Sequence, residues 1–315
     1  MKNKTGFFFH KDYLLHDTGS SHPERPERLM ALMENLNFNA FGDRVERITP
    51  EPALALTLEL VHPKSHIDYV RNACRSNGSS RLDPDTVVSS DSFNASLLAT
   101  GAIIEGCELV TTGALKNAFC AIRPPGHHAE PKRAMGFCLF NHVAVAARWL
   151  QEKRSFKKIA IIDWDVHHGN GSQAAFYDDP TVLYISMHEA PLYPGTGGSD
   201  ETGVGEGLGT TLNIPLKSGS DDEVYLAAFA EQVETKTLDF EPDFLLISAG
   251  FDAHYLDPLA NMKVTENGFA ELTKRAVHLA DTCCDGRLVS LLEGGYDLKG
   301  LSASVEAHID ALCAK

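Results

Sequence analysis

The feature that most constrains this chain is a repeated alternation between short apolar runs and longer stretches with helical periodicity. The apolar runs with strand character lie at 6–9, 117–122, 158–163, 182–187, 244–249 and 288–292. The helical stretches lie at 91–112, 138–153, 221–238 and 266–284, and Asp91 and Thr265 are the expected N-caps. Strands that are apolar throughout and alternate with helices predict a parallel sheet covered on both faces. We therefore expect an α/β fold in one domain over residues 1–315.

Polar residues with useful chemistry follow four of the apolar runs. They are Pro124 to His128, then Asp163, Asp165 and His167, then Gly250 and Asp252, and finally Glu293 to Tyr296. The carboxyl ends of parallel strands meet at one edge of a sheet, and ligands bind there. We therefore expect an active site beyond these strand ends.

The run Asp163-Trp-Asp165-Val-His167 has the spacing of metal ligands. Side chains repeat every two residues along an extended segment, so Asp165 and His167 can reach the same ion. Asp252 can supply a third ligand from another strand end. Three protein ligands with an open position for water are typical of a catalytic zinc site.

Two further motifs have acid–base character. His127 and His128 follow Pro124-Pro125-Gly126, in which the prolines stiffen the backbone and the glycine permits a turn. Histidine transfers protons near neutral pH. Tyr296 follows Gly294-Gly295 and could bring its phenol to an oxyanion, although ordinary packing would equally explain a tyrosine there.

Composition limits the partners and the compartment. The chain has 28 Lys and Arg residues and 43 Asp and Glu residues, which give a formal charge of −15. This charge disfavours binding to nucleic acid. A cationic ligand would be attracted, although solubility alone explains such a charge equally well. The seven cysteines lack metal-ribbon spacing and suggest free thiols in a reducing compartment. We expect no signal peptide and no segment near the ~20 apolar residues that span a bilayer, hence a cytoplasmic protein without membrane contact.

These motifs, taken together, resemble the histone deacetylase family. The matching pieces are RPPGHHA from Arg123, MGFCLFN from Met135, DWDVHHGNG from Asp163, YPGTG from Tyr193, SAGFD from Ser248 and EGGY from Glu293. HPERPERL from His22 resembles the corresponding loop of the class II branch. The resemblance runs from about residue 6 to residue 310 and implies the arginase/deacetylase-type fold, with the metal site at the carboxyl ends of the strands.

The resemblance also implies roles for single residues. Asp165, His167 and Asp252 match the ligands of one zinc ion per chain, His127 and His128 match the tandem histidines, and Tyr296 matches the carbonyl-polarising tyrosine. Asp163 matches the carboxylate behind the first histidine. A structural potassium ion would be held by Asp163, Asp165, His167, Ser186 and Met187. The substrate-binding residues would be Asp85 at the rim and Gly136, Phe137, Leu259 and Gly295 around the acyl-lysine tunnel.

Two positions refine what the resemblance implies. Asn170 stands where class I members carry an aspartate behind the second histidine, so His128 is expected to titrate more freely. Position 296 is tyrosine, so activity on simple acetyl substrates is expected.

The resemblance implies an acetylated lysine in a protein or peptide as the substrate, and three other functions belong to related proteins or to the same fold. The related ureohydrolases bind two manganese ions, but both bridging carboxylates are missing after Asp165-Val-His167 and Asp252-Ala-His254. An acetylpolyamine deacetylase remains a rival: polyamine-specific class II members carry Glu at the position of Leu259, yet Asp83, Asp85 or Asp91 could serve instead. The third alternative is a non-catalytic protein that binds acyl-lysine. Besides the substrate, a second copy of the chain is considered as a partner, in a homo-oligomer.

Overall fold

The computed structural model describes residues 4–75 and 78–314. Its core is an eight-stranded sheet in which every neighbouring pair is parallel. The strands are β1 (Thr5–Phe8), β2 (Val45–Ile48), β5 (Asn117–Cys120), β6 (Ile159–Asp163), β7 (Val182–Glu189), β8 (Thr211–Leu216), β9 (Phe244–Ala249) and β10 (Leu288–Leu292). Their spatial order is β2-β1-β5-β10-β9-β6-β7-β8, and β3 (Ser80–Arg81) pairs with β4 (Val87–Val88) in a separate hairpin.

Two groups of helices flank the sheet. The helices are α1 (Glu27–Asn35), α2 (Phe38–Phe41), α3 (Lys64–Cys74), α4 (Ser92–Thr111), α5 (His142–Arg154), α6 (Asn170–Phe176), α7 (Asp222–Ala228), α8 (Thr235–Phe240), α9 (Glu266–Cys283) and α10 (Leu298–Leu312). A π-helical segment, Phe229–Glu234, joins α7 to α8. Helices α4 and α5 pack on each other and on the central strands, whereas α1 and α9 pack on α10. The predicted α/β class is confirmed.

All six predicted strands are present, and every residue within the observed bounds of β1, β5, β6, β7, β9 and β10 is buried. Each fully buried Val, Leu or Ile side chain contributes roughly 1.5–3 kcal/mol, which is why uninterrupted apolar runs mark the central strands. The four predicted helical stretches are also present, but the one at 138–153 begins only at His142. Asn141 caps it, because its Oδ1 accepts a hydrogen bond from the Ala144 N–H at 3.0 Å.

The two predicted N-caps have different outcomes. Thr265 caps α9, since its Oγ1 accepts from the Gly268 N–H at 3.3 Å. Asp91 occupies the predicted N-cap position of α4, but its side chain makes no capping hydrogen bond. Ser92, the first helical residue, instead accepts from the Ser89 N–H at 2.7 Å, and the Asp91 carboxylate bonds the Ser90 hydroxyl.

The expectation that no segment approaches the length and apolarity of a membrane span is also corrected. Among the described residues, α4 passes such a test on length and composition, with 20 residues. Most of the helix is buried, and it packs against α5, β5 and β10. A helix enclosed on several sides by protein is apolar for the same reason as a spanning helix, because few of its faces meet water.

The strand order explains where the polar strand ends meet. The four strands followed by acids, histidines or the tyrosine are β5, β10, β9 and β6, and they are consecutive neighbours in the middle of the sheet. All four run parallel. Their carboxyl ends therefore converge at one place, as the sequence predicts.

Candidate active site

Asp165, His167 and Asp252 form a buried group that could hold a metal ion. One ligand atom from each lies within 4.8 Å of the others. His167 Nδ1 is 3.1 Å from Asp165 Oδ1 and 3.2 Å from Asp252 Oδ2. The predicted extended segment is wrong here: β6 ends at Asp163, and residues 164–168 form a bent loop. The bend still directs both side chains to the same point.

Backbone N–H groups fix the two carboxylates from behind. Asp165 accepts from the N–H groups of His167 at 2.9 Å and Gly294 at 2.7 Å, and Asp252 accepts from Val166 at 2.9 Å. Position 294 must be glycine, since a Cβ there would lie 2.0 Å from Asp252 Oδ2. The strand-end glycine therefore lets β10 approach the metal-binding group.

The electrostatics of this group favour a cation. Among the described residues, the ion partners of Asp165 and Asp252 are only His127 and His167, with no Lys or Arg. Burial and the neighbouring Asp165 raise the pKa of Asp252 to about 6. Burial lowers the pKa of His167, but Asp165 and Asp252 outweigh it and raise that pKa to about 10. Two buried carboxylates beside one imidazole suit a divalent transition metal, because its charge offsets their desolvation.

The tandem histidines have different partners. His127 Nδ1 lies 3.0 Å from Asp163 Oδ2, and Asp163 also accepts from the Tyr184 hydroxyl at 3.0 Å. His128 Nδ1 lies 2.9 Å from the amide oxygen of Asn170, as the sequence suggests. The two imidazole rings are 4.0 Å apart between centroids.

Glu293 holds the turn that carries these histidines. Its carboxylate accepts from the N–H groups of Gly126 at 2.7 Å and His127 at 3.2 Å. Its other oxygen accepts from the Ser248 hydroxyl at 3.1 Å. The first residue of the EGGY motif therefore joins three strand ends, a role that the motif alone did not reveal.

The surroundings drive the pKa values of the two histidines apart. Burial lowers the pKa of His127, but the charges of Asp163 and Asp165 outweigh burial and raise it well above its usual value. Burial, together with the charges of His127 and His167, holds the pKa of His128 well below its usual value. His127 is thus suited to carry a positive charge, and His128 is suited to act as a neutral base.

A cavity of about 230 Å³ leads to this group. It is lined by Asp85, His128, Gly136, Phe137, His167, Leu192, Tyr193, Leu259 and Tyr296. Of the predicted substrate-binding residues, Gly295 is not in this lining, and its carbonyl instead accepts from Arg28 Nε at 2.6 Å. Leu192 and Tyr193 were not predicted as lining residues, although Tyr193 opens the YPGTG motif.

The walls of the cavity are largely aromatic. Phe137 stands edge-on to Tyr296 with centroids 5.9 Å apart, and Tyr193 stands edge-on to His128 at 5.0 Å. Phe137 has a φ of 68°, a strained conformation for a side chain of this size. Gly136 before it has a φ of 56°, and a Cβ there would lie 2.5 Å from His128 Cδ2. The backbone therefore bends tightly here to place an aromatic ring in the wall of the cavity that His128 also lines.

Two charged residues of the HPERPERL motif, Glu24 and Arg28, are buried behind Tyr296. The Arg28 guanidinium stacks over the Tyr296 ring at 4.9 Å and donates to the carbonyls of Glu293 and Gly295, both at 2.6 Å. Glu24 accepts from both Arg28 and Arg123, and all three side chains are fully buried. The motif therefore supports the loop that carries Tyr296.

At the rim, Asp85 lies close to a second carboxylate. Its N–H donates to Asp83 Oδ1 at 3.0 Å, and Arg133 lies 3.8 Å from the other oxygen of Asp83. Burial and the Asp83 side chain raise the pKa of Asp85 to about 6. Asp85 is thus a carboxyl group in the lining of the cavity, with Asp83 directly behind it.

The residues of the implied potassium site lie at the end of β6, in the loop that follows it and inside the neighbouring strand β7. Ser186 on β7 is paired in register with Asp163 on β6, and Met187 follows it in the buried strand. The Ser186 hydroxyl bonds His188 Nδ1 at 2.9 Å. The potassium site itself stays a prediction.

Comparisons with known proteins agree with this geometry. The profile of the histone deacetylase domain matches residues 22–312. The chain is 42% identical over 298 residues to a probable deacetylase of Archaeoglobus fulgidus, which covers 94% of this chain and 82% of that protein. It is 40% identical to the chloroplastic histone deacetylase 14 of Arabidopsis thaliana, over 93% of this chain and 73% of that protein.

A solved structure gives the same result for the fold. The crystal structure of the HDA15 HD domain superposes with a TM-score of 0.93 at 39% identity, over 99% of this chain and 90% of that chain. Fold, domain profile and relatives agree across nearly the whole chain: it belongs to the histone deacetylase family.

Proposed function

We propose that this protein is a zinc-dependent deacetylase that removes acetyl, or a similar small acyl group, from the side-chain amine of lysine in proteins or peptides. One observation carries the proposal. A buried Asp-His-Asp group and a tandem pair of histidines lie together at a narrow, aromatic-walled cavity. Such a cavity suits an aliphatic chain that ends in an amide.

Zinc fits the donor set of Asp165, His167 and Asp252, two carboxylates and one imidazole, which leaves an open coordination position. When bound there, zinc polarises the amide carbonyl and lowers the pKa of water. We propose one zinc ion per chain, with a structural potassium ion held near Asp163 and Ser186.

The side chains of this protein would then move the protons. His128, whose pKa is held low, takes a proton from the attacking water and later donates it to the leaving amine. His127, charged through its contact with Asp163, stabilises negative charge electrostatically. The Tyr296 hydroxyl donates a hydrogen bond to the carbonyl oxygen as negative charge develops on it. Phe137 and Tyr193 enclose the aliphatic chain and exclude water.

The choice between lysine and polyamine substrates depends on the rim. Leu259 is apolar and lines the cavity, so no carboxylate stands at that position to hold a distant ammonium group. This supports a lysine substrate. The Asp83 and Asp85 pair favours the second candidate, an acetylpolyamine deacetylase, because two carboxylates could bind such an ammonium group instead.

One assay separates the two candidates. Zinc-loaded protein is compared on an acetyl-lysine peptide and on N-acetylated putrescine and spermidine, and kcat/KM is measured for each. We expect the peptide to be the better substrate. A higher kcat/KM for the polyamines would favour the second candidate, and hydrolysis of none of them would contradict deacetylase function.

A further inference from the structure

Asp257 is a buried carboxylate that does not line the cavity but bonds two loops that do. One of its oxygens accepts from the N–H of Leu259 at 3.0 Å. The other accepts from the N–H of Tyr296 at 2.7 Å and, more weakly, from that of Asp297 at 3.4 Å. A single side chain therefore joins the loop after β9 to the loop after β10.

Both loops have a second anchor beyond Asp257. On the Tyr296 loop, Arg28 bonds the Gly295 carbonyl at 2.6 Å and stacks on the Tyr296 ring. On the other loop, Glu189 accepts from the backbone and side-chain N–H groups of Asn261 at 2.9 and 3.0 Å. Asp257 is the one residue among these anchors whose side chain bonds both loops.

We propose that Asp257 is a positioning residue. It holds the Tyr296 loop so that the Tyr296 hydroxyl lies within hydrogen-bond distance of the substrate carbonyl, and it fixes this loop relative to the loop that carries Leu259. The proposal rests on the deacetylase function proposed above. A carboxylate has two accepting oxygens, and here each one accepts from a different loop. An asparagine would turn its NH₂ group, which cannot accept, towards one of the two backbone N–H groups.

The test is Asp257→Asn, assayed on acetyl-lysine and trifluoroacetyl-lysine peptides. The activated carbonyl of the second substrate depends less on a hydrogen bond from Tyr296. The ratio of the two kcat values does not change with the fraction of folded or zinc-loaded protein, because both substrates meet the same preparation. We expect kcat on acetyl-lysine to fall roughly 10- to 10²-fold, because misplacing a catalytic group has an effect of this size. The ratio of kcat on acetyl-lysine to kcat on trifluoroacetyl-lysine should fall as well.

Two further variants separate positioning from a general structural role. Asp297→Asn is the matched control, because Asp297 directly follows Tyr296 in the chain and its side chain caps α10 through the N–H groups of Lys299 and Gly300, a task that asparagine also performs. It should leave the ratio unchanged. In a Tyr296→Phe background, Asp257→Asn should change the ratio by less than about threefold, since the group it positions is already gone.

The outcomes are distinct. An unchanged ratio in Asp257→Asn, or an equal fall with and without the Tyr296 hydroxyl, would overturn the positioning role and leave the deacetylase function intact. A wild-type protein that hydrolyses neither peptide would overturn both. If Asp257→Asn does not fold, Asp257→Ser, which also bonds only one of the loops, should show the same fall in the ratio.

Discussion

His127 and His128 are neighbours in the chain, yet their environments assign them opposite protonation states. The carboxylate of Asp163 lies against His127, whereas His128 has only the neutral amide of Asn170 behind it. The charges of Asp163 and Asp165 outweigh burial and raise the pKa of His127, whereas burial and the charges of His127 and His167 lower the pKa of His128. Sequence spacing identifies both histidines, but only the folded structure shows which charges surround them.

The first prediction separates the two histidines. His128→Ala should lower kcat by about 10²–10⁴-fold through loss of the general base, and His127→Ala should lower it less. Both variants should keep their zinc, because neither histidine belongs to the metal-binding group. Activity assays and metal analysis on the same preparations check this. Equal loss of zinc in the two variants would show that the assignment is wrong.

The second prediction concerns the Tyr296 hydroxyl. Tyr296→Phe keeps the ring that contacts Phe137 and Arg28 but removes the hydrogen-bond donor. Loss of an oxyanion donor costs ~2.7–4 kcal/mol, so kcat on acetyl-lysine should fall roughly 10²–10³-fold. With zinc content and folding intact, a fall of less than about threefold would make Tyr296 a packing residue.

The sequence predicts the acids and histidines that the structure brings together at the candidate active site, but it misses the residues that hold the site through hydrogen bonds to the backbone. Asp165, His167, Asp252 and the tandem histidines stand out because their residue types and spacing are informative. Glu293 and Asp257 bond N–H groups of distant loops, and no local pattern indicates such bonds. Their roles depend on which strands are neighbours, which is a property of the fold.

Among the elements, the central strands were predictable and the edge strands were not. β6 and β9 are uninterrupted apolar runs, whereas β2 has no buried residue and β8 contains Pro215. An edge strand has one side without a neighbouring strand and one face exposed to solvent. Its sequence therefore does not have to be apolar throughout, and it tolerates a proline, which has no N–H group to donate. The physical signal that marks a strand is weakest there.

The third prediction concerns the packing of α9, α10 and β10 around His308. This fully buried side chain bonds the Thr273 hydroxyl at 2.7 Å and the Ser290 hydroxyl at 2.8 Å. Burial lowers its pKa to about 3, against ~6.5 in the unfolded chain. Between those values the unfolded state binds a proton that the folded state does not. The stability that neutral His308 provides is therefore present above pH ~6.5 and is lost as the pH falls.

The measurement is urea unfolding at several pH values between ~4 and ~6.5. Replacing His308 with Gln should reduce the dependence of the unfolding free energy on pH by up to ~1.4 kcal/mol per pH unit, which corresponds to one proton. His278→Gln is the matched control, because the His278 side chain on α9 is exposed. An unchanged slope in the His308 variant would contradict the burial argument.

For the whole molecule, the parallel sheet brings residues that are far apart in the chain to one point. The metal-binding group, the tandem histidines and Tyr296 come from four neighbouring strands whose carboxyl ends meet. The formal charge of −15 attracts cationic ligands over a longer range than any single contact in the site. That residues 1–315 form one domain stays a prediction.

The central claim is that one metal ion, held by Asp165, His167 and Asp252, is required to hydrolyse acetyl-lysine. The direct measurement is a zinc titration of chelator-treated protein that follows acetate release and bound metal together. Activity should rise from near zero and saturate at about one zinc per chain. Asp252→Asn should neither bind this zinc nor recover activity, whereas Asp297→Asn should behave as the wild type. Full hydrolysis without metal, or saturation only at two metal ions per chain, would contradict the claim.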